Sequence, residues 1–158
     1  MIYLIGISGV GKTTIGKLLA ARIGYDFIDL DARIEALYKC TVGELFERGE
    51  AHFRDCERTA LLTLPTRQKL IVATGGGVVL RRDNIRHMCQ TGIVICLHRS
   101  LKSILQSIDS KSRPLLKGKP IKLYKLYRQR RRAYLRAADC RVIARRPQRA
   151  VNKIARSL

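Results

Sequence analysis

Apolar strand-like runs and helical stretches alternate along this 158-residue chain. That order predicts an α/β fold, a parallel sheet covered by helices on both faces, in one domain over residues 1–158. Three observations carry the prediction. Ile2–Ile5 and Leu70–Ala73 are apolar throughout, as strands buried on both sides must be. Between such runs lie segments with apolar residues at helical spacing, long enough to serve as crossovers. Finally, no internal repeat divides the chain, and four prolines with no low-complexity tract argue against long linkers.

Taken in order, Ile2–Ile5 is the first strand. The next segment places Ile15, Leu18, Leu19 and Ile23 at helical spacing, and Gly24 ends it. Residues 25–28 form a short second strand. Residues 31–38 are helical, with Ile34, Leu37 and Tyr38 on one side. Thr41 and Glu44 have the spacing of a capping box that opens another short helix. Residues 50–64 are helical and stop at Pro65. The strand Leu70–Ala73 runs into Thr74 and three glycines. Residues 83–90 read as a helix and 93–97 as the fourth strand. Ser100 caps a helix that reaches Ile108. Residues 109–119, polar and basic with glycine and proline breaks, read as a loop. A long basic helix follows over 121–138, then the last strand over 141–144. Pro147 suits the first position of the final helix.

Composition narrows the function classes. Apolar residues make up 46% of the chain, which excludes a wholly disordered protein and supplies a core. No apolar run approaches the ~20 residues that span a bilayer. The N-terminus enters a strand at once, with no basic region or cleavage site, so no signal peptide is expected. The five cysteines, Cys40, Cys56, Cys89, Cys96 and Cys140, lack zinc or redox spacing. Reduced thiols in a cytoplasmic protein are the expectation. The net charge of +20 is unevenly placed: residues 111–158 hold 17 Lys or Arg and one acid, Asp139. Such a field attracts ATP, phosphorylated substrates and nucleic acid alike. Charge alone gives little specificity, and the aromatics on a basic face that mark nucleic-acid modules are missing. Nucleic acid is therefore not the expected partner.

The chemistry starts at Gly6-x-x-x-x-Gly11-Lys12-Thr13, a complete P-loop pattern between an apolar strand and an amphipathic helix. Its glycines let backbone N–H groups turn toward phosphate oxygens, and the helix N-terminus adds a favourable dipole. Lys12 can reach the β- and γ-phosphates, and the Thr13 hydroxyl can bind Mg²⁺. Gly9, Val10, Gly11 and Thr14 complete the expected nucleotide contacts. The loop implies a nucleoside triphosphate but no particular reaction. A GTPase would need a base-reading motif such as Asn-Lys-x-Asp, which is missing. A motor would carry an apolar strand ending in Asp, whereas the third strand here ends in Thr74-Gly75-Gly76-Gly77. A small kinase remains.

Five further constellations follow, the first three with two readings each. Asp29 and Asp31, at i and i+2 on a strand end, share a side and can serve Mg²⁺ and a substrate hydroxyl. Equally, Asp31 can simply N-cap the next helix. Arg54 and Glu57, at i and i+3 beside Phe53, can pair and present a fixed fork to a carboxylate. A plain surface pair is the simpler alternative. Gly75, Gly76 and Gly77 allow a ligand close to the backbone, or only a loose turn. Arg113, in Arg113-Pro-Leu-Leu116, can close over ATP from a loop. Arg130, four residues before Tyr134, stands in a crowd with Arg128, Arg131 and Arg132, and the pattern alone does not single it out.

The ordered set of these motifs resembles the shikimate kinase family. It runs through Gly6–Thr13, then Phe27-x-Asp29-x-Asp31-x-x-Ile34-Glu35, then Gly49-Glu50-x-x-Phe53-Arg54-x-x-Glu57. Gly75–Gly77, Arg113-Pro-Leu-Leu116 and Arg130-x-x-x-Tyr134 complete it, so the match covers nearly the whole chain. The resemblance implies a three-layer P-loop kinase fold with a five-stranded parallel sheet in order 2-3-1-4-5. It implies a substrate-binding helical region over 31–62, a lid over 109–120, and a monomer. The implied reaction is phosphoryl transfer from ATP to the 3-hydroxyl of shikimate, with Mg²⁺ as cofactor. Asp31 would bind and deprotonate the hydroxyl, and Arg54 and Arg130 would clamp the carboxylate. Phe46, Phe53, Glu57 and Gly75–Gly77 would line the ring, Asp29 and Thr13 would serve the metal, and Lys12 and Arg113 would stabilise the transferring phosphoryl.

Two positions depart from the family. The arginine that usually stacks on adenine before the lid is missing from 101–112, and Ile104 or Gln106 falls near its place. Arg145 and Pro147 can still hold the other face of the base. Arg132 stands where the family's Arg-x-Pro-x-Tyr run has proline. Two alternatives remain at this level: another small P-loop kinase such as a gluconate kinase, and a non-catalytic relative whose basic C-terminal third binds nucleic acid or protein.

Overall fold

The computed structural model describes residues 1–65, 69–107 and 120–158. Five strands form one parallel sheet: β1 (Ile2–Ile5), β2 (Asp26–Asp29), β3 (Leu70–Ala73), β4 (Ile93–His98) and β5 (Cys140–Ile143), in the order β2-β3-β1-β4-β5. The expected order is thus the observed one. Helices α1 (Lys12–Ile23), α2 (Leu30–Tyr38), α3 (Val42–Glu47), α4 (Glu50–Leu62), α5 (Arg82–Thr91), α6 (Leu101–Ser107), α7 (Pro120–Ala137) and α8 (Pro147–Ala155) surround it. The central strand β1 is buried at every residue, and α1 and α8 pack against each other beside it. Parallel register aligns Leu4 and Asp29 with Ala73, and Ile5 with Cys96. The C-terminal strand ends therefore share one edge, and the loops that follow them build one site.

Local signals explain most boundaries. Gly24 closes α1 in the left-handed region, and Pro147 opens α8. Thr41 and Glu44 form both bonds of the capping box, Glu44 N–H to Thr41 Oγ1 at 3.2 Å and Thr41 N–H to Glu44 Oε2 at 2.6 Å. Ser100 Oγ accepts from Ser103 N–H at 3.2 Å.

Three readings need correction. Helix α2 begins at Leu30, because Asp29 rather than Asp31 is its cap. Helix α4 ends at Leu62, before Pro65, where Arg33 Nε and Nη2 donate to the carbonyls of Ala60 and Thr63. Leu18, Leu37 and Tyr38 are exposed, so each helical face is narrower than its apolar residues suggest. A 3₁₀ turn at Val78–Leu80 was not expected; Asn84 Nδ2 donates to Val78 O at 3.1 Å and pins it to α5. The predicted loop over 109–119, with Arg113, lies outside the described residues.

Candidate active site

The loop between β1 and α1 has the geometry of an anion cradle. Gly6, Gly9 and Gly11 have φ of 140°, 84° and 107°, a region that L side chains avoid. No side chain caps α1 and its first turn holds no acid, so its leading N–H groups and positive dipole end face the loop. Lys12 is buried and curls back, donating to the carbonyls of Gly6 at 2.8 Å and Ile7 at 3.1 Å. Thr14 is exposed in the first turn of α1.

Asp29 joins this loop to α2. Its Oδ2 accepts from Thr13 Oγ1 at 2.7 Å, and its Oδ1 accepts from Asp31 N–H at 3.1 Å. The two aspartates are thus brought together by a helix cap rather than by strand alternation. The pairing of Thr13 hydroxyl and Asp29 carboxylate gathers hard oxygen donors, the type that Mg²⁺ takes.

A second group forms on α4. Arg54 is buried, and its Nη1 donates to Glu57 Oε2 at 2.8 Å while Nη2 reaches Glu50 Oε1 at 3.2 Å. The simple surface-pair reading fails, since the Glu57 side chain is fully buried. Phe46 and Phe53 stack at 4.2 Å, with the guanidinium 5.6 Å and 5.0 Å from their ring centres. Burial pushes the Glu57 carboxyl above its usual range against the pull of Arg54, and the nearby Asp31 charge adds to the rise. Among the described residues, Arg54 Nε and Glu57 Oε1 are buried and find no hydrogen-bond partner, so polar capacity is held in reserve.

The three glycines after β3 stand between the two groups, and their lack of Cβ is what lets the groups meet. An added Cβ on Gly75 would lie 2.6 Å from Glu57 Oε1 and 3.0 Å from Asp31 Oδ1. On Gly76 it would lie 3.2 Å from Ser8 N in the phosphate loop. On Gly77 it would overlap the Arg54 guanidinium. From the other side, Arg130 Nη1 donates to Gly76 O at 3.2 Å, and Tyr134 OH donates to the same carbonyl. Burial raises the Tyr134 hydroxyl well above its usual pKa, so it is a neutral donor.

Arg130 is half-buried whereas Arg128, Arg131 and Arg132 are exposed. The signal was in the sequence. Leu123, Leu126, Tyr127, Tyr134 and Ala137 make a helical stripe, and Arg130 falls on it. Tyr134 and Glu50 each stand four residues from their arginine, in contact range on a helix, which is the sequence signal for both.

Beside β4 and β5 an open cleft of about 460 Å³ is lined by residues that include Arg99, Ser103, Gln106 and Arg145. Ile104 is buried in the core, whereas Gln106 lines this cleft. Arg145 is exposed on the cleft, and Pro147 opens α8 two residues further on.

The family model of shikimate kinase matches residues 8–158. A shikimate kinase of Gloeobacter violaceus is 44% identical over 148 residues, covering 90% of this chain and 82% of the relative. The crystal structure of shikimate kinase from Bacteroides thetaiotaomicron superposes with a TM-score of 0.92 at 32% identity, covering 99% of this chain and 96% of the other. A shikimate kinase from Acinetobacter baumannii, solved in complex with shikimate, gives a TM-score of 0.87 at 36% identity, covering 99% and 93%.

Proposed function

This chain belongs to the shikimate kinase family, and from that premise we propose that it transfers the γ-phosphoryl group of ATP to the 3-hydroxyl of shikimate, giving shikimate 3-phosphate and ADP. One observation carries the reading. The Gly75–Gly77 turn touches the phosphate loop through Gly76 and the Asp31, Glu57 and Arg54 group through Gly75 and Gly77. Donor and acceptor sites thus adjoin across a single turn, as direct transfer requires.

The residues divide the work by charge. The loop N–H groups, the α1 dipole and Lys12 take the triphosphate; Lys12 exchanges two neutral carbonyl acceptors for anionic phosphate oxygens, which hold its ammonium more strongly. Arg54 and Arg130 hold the shikimate carboxylate, with Phe46 and Phe53 beside the ring and Gly75–Gly77 beneath it. Asp31 orients the 3-hydroxyl and accepts its proton as the new O–P bond forms and the bond from the γ-phosphorus to ADP breaks. Thr13 and Asp29 would hold Mg²⁺, which when bound neutralises phosphate charge. Arg113 is assigned to the lid over ATP, and Arg145 and Pro147 to the base. We further assign a monomer in the cytoplasm.

The experiment is ADP release with shikimate against gluconate and other hydroxylated acids, in the absence of nucleic acid. Turnover confined to shikimate supports the proposal; turnover of gluconate at equal or greater kcat/KM overturns it.

A further inference from the structure

Arg54, the residue assigned to the substrate carboxylate, already has carboxylates on both of its terminal nitrogens, Glu57 on Nη1 and Glu50 on Nη2. The two differ in one decisive respect. The Glu57 side chain is fully buried and belongs to the packed base of the site, whereas the Glu50 side chain is 60% exposed. The guanidinium has its Nε buried. Gly77 presses against it, and Phe46 and Phe53 lie close by. A carboxylate arriving from solvent can therefore reach Arg54 most directly at Nη2, where Glu50 now sits.

We propose that Glu50 is a displaceable stand-in for the substrate carboxylate, an affinity-setting residue that gives way when an anionic acceptor binds. It rests on the reading of Arg54 as the carboxylate site. While the site is empty, Glu50 gives Nη2 of Arg54 a partner beside the pair that Glu57 makes at Nη1. On binding, one carboxylate replaces another at Nη2 and Glu50 turns to water. The exchange is cheap because the Glu50 half of the pair lies in water, where ion pairing is worth little. Glu50 thereby lowers the affinity for the acid by the small worth of the pair that must be given up.

The test is steady-state kinetics of the parent, Glu50→Gln and Glu50→Ala with shikimate, together with calorimetric titration of shikimate into each protein without nucleotide. Glu50 lies in the first turn of α4, so each variant also loses a favourable charge at a helix N-terminus. A small fall in Tm is expected and does not bear on the proposal. The expected result is a KM and Kd for shikimate lower by about two- to fivefold, the range of an exposed ion pair. The change should sit in KM rather than kcat, and the KM for ATP should not follow it. A residue that merely orients Arg54 would give the opposite, a higher KM and Kd. Unchanged or raised values in both variants overturn the proposal. If the parent does not turn over shikimate at all, the function reading itself fails, and this inference with it.

Discussion

Replacing Gly77 by alanine adds one methyl group at the tightest point of the site. Gly77 has φ of −109° and ψ of 0°, a backbone open to any residue, so conformational strain plays no part. What matters is space, because the added Cβ would overlap Cζ, Nη1 and Nη2 of Arg54. That side chain is only 9% exposed and is tied to a fully buried Glu57. It can keep the pair and overpack, at about 1–3 kcal/mol, or leave Glu57, at about 3–5 kcal/mol. A loss of about 2 kcal/mol or more is expected, which for a domain of this size lowers Tm by about 4–8 °C. The displaced guanidinium also gives up its charge-assisted bonds to the substrate carboxylate, worth about 1.5–3 kcal/mol. The KM for shikimate should rise about 10- to 100-fold, while the KM for ATP holds. Thermal unfolding and steady-state kinetics read both effects. Gly43→Ala is the control: it lies in α3, and its added Cβ meets only Thr41 Oγ1, at 3.7 Å. A Gly77→Ala protein with the parent's Tm and shikimate KM would refute the close packing of the turn on Arg54.

Three other perturbations separate the remaining parts. Asp31→Asn should lower kcat by about 10²- to 10⁴-fold, the usual worth of a positioned acid or base, with ATP binding measured by calorimetry nearly intact; retention of the parent's turnover would remove Asp31 from the chemistry. Tyr134→Phe takes one of two donors from Gly76 O and leaves Arg130. It should cost about 1 kcal/mol in unfolding and raise the shikimate KM severalfold, and an unmoved KM would reduce Tyr134 to packing. Burial raises the Glu57 pKa above its ordinary 4.5, so the folded state keeps this proton at a pH where the unfolded chain has lost it. Stability from this group is full below the unfolded value and is lost as pH rises through the folded one. Glu57→Gln should flatten that decline in denaturant titrations carried upward from pH 4.5; an equally steep decline in the variant would contradict the assignment.

Residues whose function depends on neighbours in sequence were the ones the sequence made legible. The phosphate loop is a contiguous strand–turn–helix, so its pattern and its geometry coincide at Gly6, Gly11 and Lys12. The capping box at Thr41 and Glu44 and the proline at the start of α8 are local for the same reason. The sheet order came from the resemblance to a family and not from the strand pattern. Tertiary burial was hidden. Arg54 and Glu57 could be paired from their spacing, but their burial depends on Gly77 closing over Arg54 and Gly75 over Glu57 from another element. The carboxylate pair was placed on a strand because the pattern does not show where β2 stops. The bond from Asp31 N–H to Asp29 Oδ1 turns the chain into α2 at that point. Arg130 could have been separated from its neighbours by the helical stripe alone.

The central claim is that the phosphate loop and the Asp31–Arg54 group serve one phosphoryl transfer across the Gly75–Gly77 turn. The most direct measurement is to characterise by phosphorus and proton NMR the product of a reaction holding only this protein, ATP, Mg²⁺ and shikimate. The account predicts one phosphomonoester, on the 3-hydroxyl, formed in equal amount with ADP. ADP formed with inorganic phosphate alone, or a phosphoryl group on another hydroxyl, would contradict it.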